Sequence, residues 1–169
     1  MPNDMSPIEE VRDFTLTSFL EGRTLAWGTV EDRFGRIRTR LYVEMLGYWA
    51  DDGFKIDEDF HYDDGRHESR TWHVTPGGNG AFTATCSDCV GRARGTIVNG
   101  QIHMSYKFRL RLKRRTVVVH FSDRIIRIDD QRAVNRATIR KWGVRVGELA
   151  LFFERQDDAR RPGLDDLSY

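Results

Sequence analysis

Glu58 and Arg70 are the residues of this chain best suited to act together chemically. A carboxylate kept from water beside a guanidinium can serve as a general base. The guanidinium itself can meet a ligand carboxylate or phosphate with paired hydrogen bonds. Both flank Asp63-Asp64-Gly65, a turn signal in which Asp tolerates the turn and Gly supplies a positive φ. If Asp64-Gly65 is a two-residue loop, Asp59 faces Arg70 and Asp57 faces Trp72. If Asp63-Asp64-Gly65 is a three-residue loop, Glu58 faces Arg70 and Ile56 faces Trp72. The one-residue difference exchanges the inner and outer faces of the hairpin. The three-residue loop is favoured, because it gathers Ile56, Glu58, Phe60, Tyr62, Arg70 and Trp72 on one face. It leaves Asp57, Asp59, His61, His67 and Ser69 for solvent. A structural ion pair closing the core is the plainer use of Glu58 and Arg70; a pair facing a ligand is the sharper one.

Other reactive types carry weaker signals. Cys86 and Cys89 are the only cysteines, as Cys-Ser-Asp-Cys. That spacing is half a zinc site or a redox pair. The five histidines (His61, His67, His73, His103 and His120) supply no ligand spacing to complete a metal site. The cysteines therefore read as two small thiols, and no metal or cofactor is expected. Lys107, Arg109, Arg111 and Lys113 alternate with Phe108, Leu110 and Leu112, and Arg114-Arg115 follow. One strand face is thus basic and the other apolar. It reads first as a solvated outer face, and second as a contact for anions, phospholipid or nucleic acid. Nucleic-acid binding favours aromatics beside the cations, and here they point the other way. Gly91, Ala93 and Gly95 fall on one alternating face, leaving room for a bulky side chain from across or for a ligand.

Elements that could position these residues follow from the pattern along the chain. A length of 169 residues fits one domain, burying roughly 70% of its unfolded surface. The net charge of +1 gives no bulk-charge reason for a nucleic-acid or membrane partner. Ser6-Pro7-Ile8-Glu9 carries helix-start signals, predicting a short helix over about 7–14 within an N-terminal segment, residues 1–22. Period-two alternation then begins. Strands are expected at 24–31, 37–49, on both sides of Asp63-Asp64-Gly65, and at 81–86, 91–98 and 101–112. Further strands are expected at 116–122, 125–128, 133–142 and 148–155, with 143–147 as a turn region. Residues 156–169 read as a polar tail. About nine to ten short strands joined by tight turns predict an all-β, antiparallel up-and-down barrel of lipocalin type over 23–155. Barrels of this size can hold one small ligand.

A set of motifs in order resembles a known family. Trp27-Gly28, Asp32-Arg33-Phe34-Gly35, Glu58-x-Phe60-x-Tyr62-Asp63-Asp64-Gly65, Arg70-x-Trp72, Asp88-x-x-Gly91-x-Ala93-x-Gly95, Asn135-Arg136 and Lys141-x-Gly143 are similar to the uncharacterised bacterial domain-of-unknown-function family 3833. The resemblance implies a lipocalin-like barrel with no established activity. It places Asp88, Asp123, Asn135 and Lys141 at motif positions, where they could join Glu58 and Arg70 in a polar cluster inside the barrel or at its mouth. Many relatives look like lipoproteins; this chain shows neither a signal segment nor a lipidation Cys, and the expectation here is a cytoplasmic location. No apolar run is long enough to span a membrane.

The functional expectation is a non-enzymatic barrel for a small, partly apolar ligand, with an anionic one as an option. Trp27, Phe60, Tyr62 and Trp72 would line the cavity, with Arg70 held by Glu58. An enzyme using Glu58 or Asp123 as general acid or base is one alternative. An interaction module on the basic strand 107–115 is another. The sequence leaves the oligomeric state open.

Overall fold

The computed structural model describes residues 14–156. The helix expected over 7–14 and the tail after Gln156 lie outside them, apart from Phe14, which is not helical. Ten strands follow a short helix: α1 (Leu16–Leu20), β1 (Gly22–Asp32), β2 (Ile37–Ala50), β3 (Gly53–Tyr62), β4 (His67–Pro76) and β5 (Phe82–Thr85). The rest are β6 (Cys89–Val98), β7 (Gln101–Arg111), β8 (Thr116–Arg127), β9 (Arg132–Lys141) and β10 (Val144–Gln156). Each strand pairs antiparallel with the next, and β10 pairs with β1 to close the barrel. Closure removes the two open edges that a meander of tight hairpins would otherwise leave.

The β3–β4 hairpin has the expected three-residue register. Ile56 faces Trp72 and Glu58 faces Arg70. The Gly65 amide donates to the Tyr62 carbonyl at 3.0 Å, and Gly65 takes a φ of 84°. That is the bulge residue of a three-residue hairpin, where Gly carries no Cβ penalty.

Three features of the strands differ from expectation beyond a residue or two at their ends. Residues 116–128 were expected as two strands, but β8 runs unbroken through Asp123-Arg124. Asp123 and Arg124 keep the inside–outside alternation, so the ladders to β7 and β9 continue past them. The region 143–147 is not a turn; only Trp142-Gly143 turns, with φ of 51° and 77°. Gly147 instead sits at a register shift inside β10. Gly91 also leaves its expected face. A bulge between Val90 and Arg94 turns it outward with a φ of 74°, while Ala93 stays buried. The room left at Gly95 is filled by the Phe82 ring from neighbouring β5, not from across the barrel.

Helix α1 was not expected at its observed place. Thr15 caps it by accepting from the Ser18 amide at 3.1 Å, and the Ser18 hydroxyl accepts from the Thr15 amide at 3.0 Å. Leu16, Phe19 and Leu20 are buried, and the Phe19 ring meets Phe153 edge-on at 6.5 Å. The helix plugs one end of the barrel, with its Leu20 carbonyl lying where a Cβ on Gly47 would be. Gly47→Ala must therefore push the plug aside. Overpacking of this kind costs about 1–3 kcal/mol, to be read as a lower urea midpoint with an unchanged slope.

Because the meander alternates direction, the β1–β2, β3–β4, β5–β6, β7–β8 and β9–β10 turns gather at the end opposite α1. β5 is short and pairs with β4 only from His73 to Pro76. The His67–Trp72 half of β4 thus lacks a ladder partner on that side, and Cys86-Ser87-Asp88 passes beside it.

Candidate functional site

A cavity of ≈ 530 Å³ runs from Leu16 and Leu20 at the plug to the opposite mouth. This is within the range of small-molecule sites. Its wall is mostly aromatic and aliphatic, since the inner positions of the alternating strands are apolar. Around its middle runs a polar band built from four strands.

On β3 and β4, Glu58 and Arg70 face each other with side chains 16% and 11% exposed. The Arg70 guanidinium lies between two rings, 4.4 Å from the Phe60 centroid and 4.7 Å from Phe108. Its Nη2 donates to Glu68 Oε2 at 3.5 Å, while its Nε stands 4.0 Å from Glu58 Oε2. Trp72 Nε1 donates to Glu58 Oε2 at 3.1 Å, and the Tyr62 hydroxyl to Glu68 Oε2 at 3.1 Å. Burial raises the Glu58 carboxyl against the pull of Arg70 and Trp72. Burial, then the Glu68 charge, pushes the Tyr62 phenol up to about 12.

Across the barrel, on β8, a third carboxyl completes the band. Asp123 Oδ2 accepts from the Tyr106 hydroxyl at 3.3 Å and from Asn135 Nδ2 at 3.3 Å. Burial raises Asp123 to about 7, opposed by those two hydrogen bonds and aided by the Glu58 charge. Tyr106 packs edge-on against Trp72 at 5.3 Å, which brings the two halves of the band together. Burial, with the Asp123 charge second, holds the Tyr106 phenol well above its ordinary value.

Three buried polar atoms on these cavity-lining side chains have no hydrogen-bond partner: Arg70 Nε, Asp123 Oδ1 and Asn135 Oδ1. Each such atom costs about 1–3 kcal/mol when nothing meets it. The side chains that carry them all line this cavity.

Of the side chains singled out in the sequence, Glu58, Phe60, Tyr62, Arg70, Trp72, Asp88, Asp123 and Asn135 line the cavity. Asp88 does so at the mouth, paired with Arg111 at 3.1 Å. Trp27 does not. Ala26 is fully buried on the inner face, so alternation sends Trp27 outside, 42% exposed. There its ring lies 5.8 Å from Tyr42 and 6.4 Å from Phe152 in a cross-strand aromatic row. Lys141 sits at the mouth rather than in the band, its ammonium 4.6 Å from the Trp142 ring. Tyr106, Glu68, Phe108 and Phe121 also line the cavity and were missed. Tyr106 was findable: it shares the alternating face of Phe108, opposite the basic residues of β7.

The two cysteines lie together beside the gap in the wall. Cys86 Sγ and Cys89 Sγ share a hydrogen bond at 2.9 Å. That hydrogen bond lowers the Cys86 thiol and raises the Cys89 thiol. Lys107, Arg109 and Arg111 point outward as expected; Arg109 Nη1 donates to the Cys89 carbonyl at 3.1 Å. Among the described residues, no three His, Cys, Asp or Glu side chains gather to hold a metal ion, and no helix is long and apolar enough to cross a membrane.

The family profile "Protein of unknown function (DUF3833)" matches residues 5–155. No curated protein matches the chain. Among solved structures, an S-type phycobiliprotein lyase from Guillardia theta superposes with a TM-score of 0.56 at 7% identity, covering 81% of this chain and 88% of that one. A redesigned β-barrel, mFAP0, bound to DFHBI, gives a TM-score of 0.41 at 12% identity, covering 81% of this chain and 99% of that one.

Proposed function

This chain belongs to the DUF3833 family of proteins of unknown function, and we propose that it is a small-molecule-binding barrel whose cavity takes one mainly apolar ligand. The observation that carries this reading is a cavity of ≈ 530 Å³ with a mostly apolar wall and a band of Glu58, Glu68, Arg70, Asp123 and Asn135 around it. A filled structural core is close-packed and leaves no enclosed space of this size. A ligand in this cavity would accept a hydrogen bond from Arg70 and donate to Asp123 or Asn135. The band holds Glu58, Glu68 and Asp123 against Arg70, so its charge balance favours a neutral ligand carrying a donor over an anionic one.

Native mass spectrometry of freshly purified protein, set beside its denatured mass, tests this. Extra mass that vanishes on denaturation is expected, with a molecule of a few hundred daltons recovered in the organic extract, sized by the usual volume of such sites. A bare chain from several expression hosts, together with no stabilisation by any member of an apolar ligand library, would overturn it.

Acid–base chemistry on the same barrel has one observation in its favour. Asp123 holds its proton up to about pH 7, with Glu58 as a second raised carboxyl near it. Turnover of the recovered ligand, abolished in Asp123→Asn, would be its mark.

A further inference from the structure

Exposed apolar side chains stand at both ends of the barrel, with Trp49, Val98 and Ile128 at the plugged end, but at the mouth they are set among cations. Three of its five turns present large apolar side chains to solvent: Phe34, 69% exposed, on β1–β2; Leu112 on β7–β8; and Trp142, 90% exposed, on β9–β10. Each is set among cations. Residues 32–38 carry three arginines against Asp32 alone. Residues 109–115 carry five cations and no acid, Arg111 being paired with Asp88, and 140–145 carry three cations, Arg145 being paired with Glu148 at 3.0 Å. Arg33 and Arg36 lie 4.7 Å and 5.9 Å from the Phe34 ring centroid. Arg145 Nη2 donates to the Arg33 carbonyl at 3.5 Å, tying the Phe34 and Trp142 turns side by side. The acids of the other two turns are engaged: Asp63 with Arg40, Asp64 with Arg66, and Asp88 with Arg111. The described chain ends leave from the plugged end, where Gln156 pairs with Arg23.

We propose that this rim docks the barrel, mouth down, on an anionic lipid bilayer. Phe34, Leu112 and Trp142 enter the interfacial layer, and the flanking Arg and Lys side chains meet lipid phosphates. An exposed apolar residue alone is ordinary. Three at the same end, each ringed by cations, match what an anionic bilayer surface recognises: aromatic rings at headgroup depth and basic side chains above them. The ring arrangement also selects the partner. A planar surface can touch all three turns at once. A nucleic acid would need a continuous groove along its phosphates with aromatics beside it, and here the aromatics stand on separate turns around an opening. In this pose the cavity opens onto the bilayer, and an apolar ligand can pass between lipid and barrel without crossing water.

Co-sedimentation with extruded vesicles tests the rim without reference to any ligand. The protein is expected to pellet with phosphatidylglycerol–phosphatidylcholine vesicles, weakly with phosphatidylcholine alone, and less as salt rises. Phe34→Ser/Trp142→Ser should bind about tenfold more weakly, and so should Lys113→Glu/Arg114→Glu. Both sets lie on exposed turns, so circular dichroism and any carried mass should match the parent; this separates failure of the rim from failure of the cavity. Absence of binding to the anionic vesicles at low salt overturns the proposal. So does equal binding by parent and both variants, or capture of a DNA or RNA duplex in preference to vesicles.

Discussion

Arg70→Ala should lower the stability of the barrel by about 3–5 kcal/mol, the usual cost of removing one partner from a buried ion pair, and should empty the cavity of its ligand. The guanidinium does two things here. It is a flat wall element stacked between Phe60 and Phe108, and it is the cation facing Glu58 and Glu68. Without it, Glu58 keeps only the Trp72 indole donor at 3.1 Å. Its carboxyl, already raised by burial, rises further once Arg70 no longer pulls it down. An acid raised in the folded state contributes stability that is present below its unfolded pKa and lost as pH rises through the folded one. The deficit of Arg70→Ala should therefore be smaller near pH 4 than near pH 8 in urea melts. Glu58→Gln/Arg70→Met separates charge from packing. It removes both charges and refills the slot between the rings, so it should recover most of the lost stability while still failing to retain ligand. A single variant Arg70→Ala with the parent's midpoint at both pH values would show that the pair is not buried as described. A double variant that retains ligand would remove Arg70 from the site.

Much of this arrangement is written locally in the chain. Asp63-Asp64-Gly65 specifies a loop length, and the loop length specifies that Glu58 and not Asp59 meets Arg70. Asn99-Gly100, a two-residue hairpin signal, turns β6 into β7 with φ of 50° and 70°, and the β-branched and aromatic alternation marks the strands themselves. What failed was information held between strands. Trp27 resembles a cavity aromatic by type, but its place depends on Ala26 being the residue that fits against the closing ladder to β10. Gly91 was misplaced because a bulge is invisible to a period-two count. Asp123-Arg124 looked like a break because charged pairs usually end strands; here Asp123 is drawn inward by Tyr106 and Asn135, partners from two neighbouring strands. The rim was half legible. The run 107–115 showed its charge, but its neighbours around the mouth follow only from barrel closure.

Asp123→Asn should stabilise the protein at pH 8 and leave it little changed at pH 4. Asp123 titrates near 7 when folded, against an ordinary aspartate value of 3.8. Below 3.8 both states hold the proton, and the group makes no pH-dependent demand. Between 3.8 and 7 the unfolded chain releases its proton while the folded chain keeps it, so stability falls as pH rises through that window. At 1.36 kcal/mol per unit, the loss is roughly 4 kcal/mol by pH 8. Asparagine removes the titration yet keeps an oxygen for the Tyr106 and Asn135 donors. Melting temperature plotted against pH should slope downward from pH 4 to 7 in the parent and be flatter in the variant, with the curves parting progressively. Curves that stay parallel would place the proton elsewhere. The same proton bears on the cavity. Below about pH 7 the protonated carboxyl can donate from Oδ1, and above it only accept. A ligand that donates to Asp123 should thus be held more tightly as pH rises through 7, and one that accepts from it more loosely. The sign of that dependence, measured on the recovered ligand, tells which end of the molecule faces β8.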